Sequence, residues 1–279
     1  MRLMRSLAVW IASKSLRRAR MSLRVAVAIA LVAAGARAQS RPSFDAFEVA
    51  AIKPTPADSS GRFITMQGGN RFVARGHTLL TLVAAAYNLN PRAISGGPPW
   101  TDTDRYDILA STPGAVRPNL EEQMGMLRKL LAERFELSFH RTQKELPLYA
   151  LTVAKNGPTI TENKSAPDAQ PVLVNSIFPD RVKLPARNAT MAEFASMMQR
   201  AVLDRPVVDK TGLTARYDFD LEWAPDESQF SGRVTVAASE PPKPDLFAAL
   251  QQQLGLRLEA SKGPVEALVI DRAGRPSAN

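Results

Sequence analysis

Three carboxylates at alternate positions, Asp218, Asp220 and Glu222, are the residues of this 279-residue chain whose type and spacing best suit chemistry. Tyr217, Phe219, Leu221 and Trp223 interleave with them. An extended strand therefore puts the apolar side chains on one face and the three carboxylates on the other. Residues two apart on a strand lie about 6.6 Å apart. That spacing falls within the roughly 6.5–9.5 Å between acid and base of an inverting glycosidase, and an oxygen-rich face also suits calcium. Plain sheet architecture explains the pattern equally directly, because one face of an antiparallel sheet is usually solvated and like charges there discourage edge pairing. The solvated face is the preferred reading, and these three are the only candidates for a site. No catalytic residue, metal ligand or cofactor is otherwise expected.

Other motifs carry less. Asp209-Lys210-Thr211-Gly212 copies the phosphorylated aspartate motif of cation pumps, but Asp at the first and Gly at the fourth position are also what a type I turn prefers. His140 follows Phe135, Leu137 and Phe139 on the opposite side of an alternation and is expected to face solvent; the other histidine, His77, precedes a different helix, so no His pair for zinc exists. Trp100, in Gly96-Gly97-Pro98-Pro99-Trp100, either presents an aromatic platform or closes a turn onto the core, and its large apolar area favours the core. There is no nucleophile elbow, Walker loop, dinucleotide fingerprint or cysteine. These absences argue against the standard hydrolase, kinase and dehydrogenase classes.

The formal charge of +9 lies in the first 38 residues, which hold eight basic and no acidic side chains; the remainder has 28 basic against 27 acidic. That balance lacks the basic stripe a nucleic-acid partner requires. Met21 to Arg24, the apolar run Val25 to Gly35 and Ala36-Arg37-Ala38 read as a secretory signal cleaved after Ala38, with Met21 a candidate start. Eleven apolar residues are too few for a permanent membrane anchor. The expected destination is the periplasm or the extracellular space.

The elements that position these residues recur. Thr78 caps a helix that leads to Arg105-Tyr106-Asp107 after 28 positions from Thr78 to Tyr106; Thr190 caps one that leads to Arg216-Tyr217-Asp218 after 27 positions from Thr190 to Tyr217. Arg62 to Ala74 reads as a hairpin turning at Gly68-Gly69-Asn70. Asn119 with Glu122 and Thr190 with Glu193 read as capping boxes, and Asp245 as a further N-cap. Phe135 to Phe139 and Leu146 to Val153 are expected as two strands broken at Gln143-Lys144-Glu145, and Leu254 to Leu258 and Val265 to Ile270 as their counterparts. The prediction is an α+β protein of two duplicated halves, 39–155 and 182–279. Residues 156–181 form the linker and 224–244 a flexible excursion. Each half holds two helix-strand-strand units, with helices on one side of a mixed sheet.

Five ordered blocks carry a resemblance: Phe47 to Pro54, Gly96 to Trp100, Leu130 to Phe135, Arg205 to Leu213 and Gln253 to Leu256. Together they resemble the soil-associated protein family of unknown function over nearly all of 44–276. The resemblance implies an exported protein without established activity, similar to domains attached to membrane metallopeptidases of the BlaR/MecR type. The helix followed by Leu254-Gly255-Leu256 is also similar to the short N-terminal domain of secretins and TonB-dependent receptors, which implies a binding or sensing role. The expected function is a non-enzymatic interaction or sensor module of the cell envelope whose Arg-Tyr-Asp strands and sheet edges meet a protein or envelope ligand. The alternative is a carboxylate-dependent hydrolase or calcium-assisted glycan-binding enzyme on the Asp218, Asp220 and Glu222 face.

Overall fold

Phe63–Gln67 (β2) and Arg71–Thr78 (β3) form the expected hairpin through Gly68, Gly69 and Asn70. A computed structural model of the chain describes residues 42–59, 61–164, 169 and 171–276; the leader read over 1–38 lies outside them. Val49–Pro54 (β1) pairs with Arg105–Ser111 (β5), and β5 with β3, giving the antiparallel order β1-β5-β3-β2. Leu79–Ala86 (α1) begins where the Thr78 hydroxyl accepts the Thr81 N–H at 3.2 Å. Ile94–Gly96 (β4), the short helix Trp100–Thr103 (α2) and Leu120–Arg134 (α3) follow, and α3 opens on the predicted capping box. Ile52, Phe72, Leu82, Ile108, Leu127 and Phe135 are buried between this sheet and its helices.

The second region follows the same element order. Val182–Ala189 (β10) leads into Met191–Met197 (α4), capped by Thr190 and Glu193, and then Val207–Asp209 (β11) and Tyr217–Trp223 (β12). Asp245 caps Leu246–Ala249 (α5). Both α4 and α5 run on into a π-helical turn, Met198–Val202 and Leu250–Leu254. Residues 156–181, expected as a linker, supply Thr161–Glu162 (β7), Val172–Leu173 (β8) and Ser176–Ile177 (β9); β7 pairs with β12, and β8 and β9 pair with β10. The excursion 224–244 is tied down. The Ala224 N–H donates to Pro244 O at 2.9 Å, the buried Trp223 indole donates to Gln229 Oε1 at 2.7 Å, and Phe230 stacks on Trp223.

The expected breaks at 143–145 and 259–264 do not occur. Ser138–Val153 (β6) is one strand of 16 residues and Leu256–Arg272 (β13) one of 17, paired antiparallel along their length. Phe135 and Leu254 belong instead to the helix ends. Proline is tolerated twice in this ribbon for a reason of parity. Tyr149 N–H points off the ribbon to Pro206 O at 2.8 Å, and residues 147 and 145 share that parity; Pro147 and the partner of Glu145, Pro264, both sit there. Neither missing N–H removes a ladder bond. β4 adds parallel to β13 and β11 parallel to β6, giving the mixed sheet β11-β6-β13-β4.

This ribbon binds the two regions together. Leu268 and Ile270 of β13 lie in the first core, while Tyr149 and Leu151 of β6 lie in the second. Ser43–Asn279 form one compact unit. Strand accounts for 38% and helix for 24%, an α+β protein.

Candidate functional site

The acidic strand is placed as alternation predicts: Phe219, Leu221 and Trp223 are buried, Tyr217 is half-buried, and the carboxylates lie on the other face. Every one of the three is engaged. Lys183 lies directly across the β10–β12 ladder from Glu222 and reaches it at 3.2 Å; Arg181 reaches Glu222 at 3.3 Å and Lys243 at 3.8 Å. One Arg187 nitrogen contacts both oxygens of Asp220, at 3.0 and 3.2 Å. Asp218 accepts the Asn188 backbone N–H at 2.7 Å and the Asn163 amide at 2.9 Å. Those two donors hold the Asp218 carboxyl below the usual carboxylate range. A carboxyl pair for general acid-base work needs one member that keeps its proton, and the environment of Asp218 disfavours that form. Among the described residues no cluster of three or more His, Asp or Glu is arranged to hold a metal.

The repeated Arg-Tyr-Asp motif has a packing explanation. Gly76 of β3 adopts φ +67° and Asn188 of β10 φ +53°, each two residues before the helix-capping threonine and each at a break in strand register. Asp107 accepts the Gly76 N–H at 2.9 Å and the Thr55 hydroxyl at 2.7 Å, while Arg105 Nε donates to Gly76 O at 3.1 Å. Asp218 accepts the Asn188 N–H, and Arg216 donates to Asn188 O at 2.7 Å and to the capping Glu193 at 3.2 Å. Arg and Asp, two apart on one strand face, thus grip both polar groups of a left-handed bulge residue on the neighbouring strand. The bulge turns the strand into its helix. Glycine meets the left-handed requirement at 76, and asparagine, which tolerates it, at 188. Arg105, Asp107, Arg216 and Asp218 are thus engaged by backbone groups, a packing role that the spacing of the motif did not announce. The signal was present as Gly-x-Thr and Asn-x-Thr before each helix, but the pairing partner is some 30 positions away.

Removing the clasp has a measurable cost. Asp107→Ala leaves Gly76 N–H and Thr55 without an acceptor, a loss of roughly 2–3 kcal/mol from charge-assisted hydrogen bonds. A denaturant titration of the variant is expected to show that shift. A change under about 0.5 kcal/mol, typical of a neutral surface substitution, would mean the bulge holds itself.

The remaining motifs settle into structural roles. Asp209 Oδ1 accepts both the Thr211 N–H at 2.9 Å and its hydroxyl at 2.7 Å, and Gly212 takes φ +69°, which is a turn. His140 is exposed and contacts Asp271 at 2.8 Å. Trp100 packs edge-on against Tyr106 at the first core, with Arg275 over its ring at 5.2 Å. His77, considered in the sequence only as a partner for His140, is 7% exposed, and burial, followed by the charge of Arg62, lowers its pKa to about 3. A cleft of about 660 Å³ opens beside the end of α5, lined by Lys155, Asn156, Thr159, Gln251, Gln252 and Arg257, without a carboxylate or histidine in its wall.

Residues 80–273 match a family described as a protein of unknown function, DUF3738. That match spans most of the chain, and the protein belongs to this family. No curated protein and no solved structure matches it.

Proposed function

We propose that this family member is an exported, non-enzymatic interaction or sensor module of the cell envelope, built from two related halves. The carrying observation is an open apolar edge. Val172 of β8 and Ile177 of β9 are exposed, and so are Val174 and Phe178, which follow those strands; β8 and β9 pair with β10 on one side only among the described residues. Such an edge suits strand addition by a protein partner, whose backbone completes the ladder while alternate side chains meet the apolar row. The ion-paired carboxylates of β12 and the structural use of Arg-Tyr-Asp support a role without turnover. The common order of strand, capped helix, short parallel strand, clasp strand, helix and long strand in both regions supports relatedness of the halves.

A photo-crosslinker at position 177 is expected to join one envelope protein, and Ile177→Lys to abolish the capture. Turnover of glycan, peptide or ester substrates by the purified chain above background would sink the reading. Asp220→Asn is expected to leave capture unchanged and to cost no more than about 1 kcal/mol, as for other exposed ion pairs. An activity that disappeared in this variant would restore the hydrolase alternative.

A further inference from the structure

We propose that the cleft beside the end of α5 binds the carboxylate of a small ligand. Lys155 is its counter-ion, and the side-chain amides of Asn156, Gln251 and Gln252 meet the polar groups next to that carboxylate. The cleft itself brings these residues together. Lys155 and Asn156 line it from the chain leaving β6, Gln251 and Gln252 from the π-helical turn, and Arg257 from the start of β13. Its volume of about 660 Å³ lies within the roughly 300–1,000 Å³ of small-molecule sites.

The first region shows what is missing here. In both regions backbone crosses a helix end that closes in a left-handed residue. Gly274 N–H donates to Phe135 O at 2.7 Å beside Glu136 at φ +47°; Thr159 N–H donates to Leu254 O at 3.0 Å beside Gly255 at φ +65°. Each crossing chain carries a cation two residues before a glycine, Arg272 before Gly274 and Lys155 before Gly157. In the first region the Glu136 carboxylate meets Arg272. In the second, Gly255 stands where Glu136 stands and offers no side chain, and Lys155 pairs with no carboxylate among the described residues. The cleft opens at that point, with two cations and no acid in its wall. Arg257 holds Glu259 at 3.1 Å through one nitrogen, which leaves other N–H groups free of that pair.

A helix end can itself attract cations through its unsatisfied carbonyls. Here most of that demand is met by backbone and hydroxyl donors. Leu250 O accepts the Gly255 N–H, Gln253 O the Thr159 hydroxyl, Leu254 O the Thr159 N–H and Gly255 O the Ala154 N–H. The negative charge that answers Lys155 is therefore left to a ligand. Asn156, Gln251 and Gln252 have no side-chain partner among the described residues, and each offers both donors and an acceptor. Such groups match the amide of a peptide terminus or the hydroxyls of an acidic sugar, and either of these carries the carboxylate.

The cleft shares no residue with the apolar edge of 172–178, so Ile177→Lys is expected to leave its binding untouched. The test is a titration of the isotope-labelled purified chain, followed through its backbone amide resonances. The probes are acetyl-alanyl-alanine against its C-terminal amide, and glucuronate against glucose, at constant ionic strength. Saturable shifts centred on residues 155–157 and 251–257 are expected with an acid and not with its neutral counterpart. The acid that saturates at the lower concentration distinguishes a peptide source from a glycan source. Lys155→Gln is expected to weaken binding at least about tenfold, since it removes the charge-assisted contact, and Lys155→Arg to retain it. Lys155 is exposed, so neither variant threatens the fold. Asn156→Asp, which places a carboxylate in the wall next to Lys155, is expected to abolish binding. Absence of saturable shifts with both acids, equal shifts with the neutral counterparts, or binding unchanged in Lys155→Gln would overturn the proposal.

Discussion

Gly255→Ala is expected to lower stability by roughly 2–5 kcal/mol and the melting temperature by at least about 4 °C. Two costs add. Gly255 ends the helical run before β13 at φ +65°, a conformation that costs an L-residue about 1–2 kcal/mol. An added Cβ would also meet Gly157 O at 2.1 Å and Pro158 Cα at 2.9 Å, both backbone, so the chain crossing over the helix end must move. Overpacking of this kind costs about 1–3 kcal/mol. Gly212→Ala separates the two terms, because Gly212 has φ +69° with nothing within 4 Å of an added Cβ. It is expected to lose only the conformational part. Equal losses at 212 and 255 would show that the crossing chain gives way freely. The counterpart in the first region, Glu136, takes φ +47° without being glycine. Leu254-Gly255-Leu256 therefore has a packing reason in this protein: a helix end under a crossing backbone.

Stability is expected to fall by roughly 2–3 kcal/mol between pH 6.5 and pH 4.5 because of His77 alone. Its pKa is about 3 in the folded chain, against an ordinary value of 6.5. The neutral ring is the form the fold accepts: it is buried, and Arg62, Arg105 and Arg233 surround it with positive charge. Between pH 6.5 and 3 the unfolded chain binds a proton that the folded chain refuses. The contribution is therefore complete above pH 6.5 and declines as pH falls, at up to about 1.4 kcal/mol per pH unit. Urea titrations in chloride, free of phosphate and sulfate, should show this slope in the parent and lose it in His77→Gln. A His77→Gln protein as sensitive to pH as its parent would place the titration elsewhere.

The acidic strand shows how much of a candidate site is set by its neighbours. Alternation correctly sent Asp218, Asp220 and Glu222 to one face, because side-chain direction in a strand is local. It carried no information about β10, whose Lys183 and Arg187 meet them across the ladder. Arg181, just before β10, and Lys243 from the excursion complete the neutralisation of Glu222. Asp220 and Glu222 are ion-paired and Asp218 is held by two N–H donors.

By itself the sequence determined the helix starts at Thr78, Asn119, Thr190 and Asp245, the turn at 68–70, the α+β class and the apolar face of β12. All of these rest on contacts within about four residues, or on the period of the backbone. Only the tertiary structure decided the rest. Residues 143–145 and 259–264 look like breaks in isolation but continue as strand, because β6 and β13 are each other's partner across more than a hundred positions. Thr161–Glu162 and Val172–Ile177 look like linker yet find edges to join. Arg105 and Asp107 look like a surface motif until β3 brings the bulge at Gly76 between them. The physical reason is common to all three: a hydrogen bond or a charge is satisfied by whichever group the fold brings within about 3 Å, and that group's distance along the chain leaves no local mark.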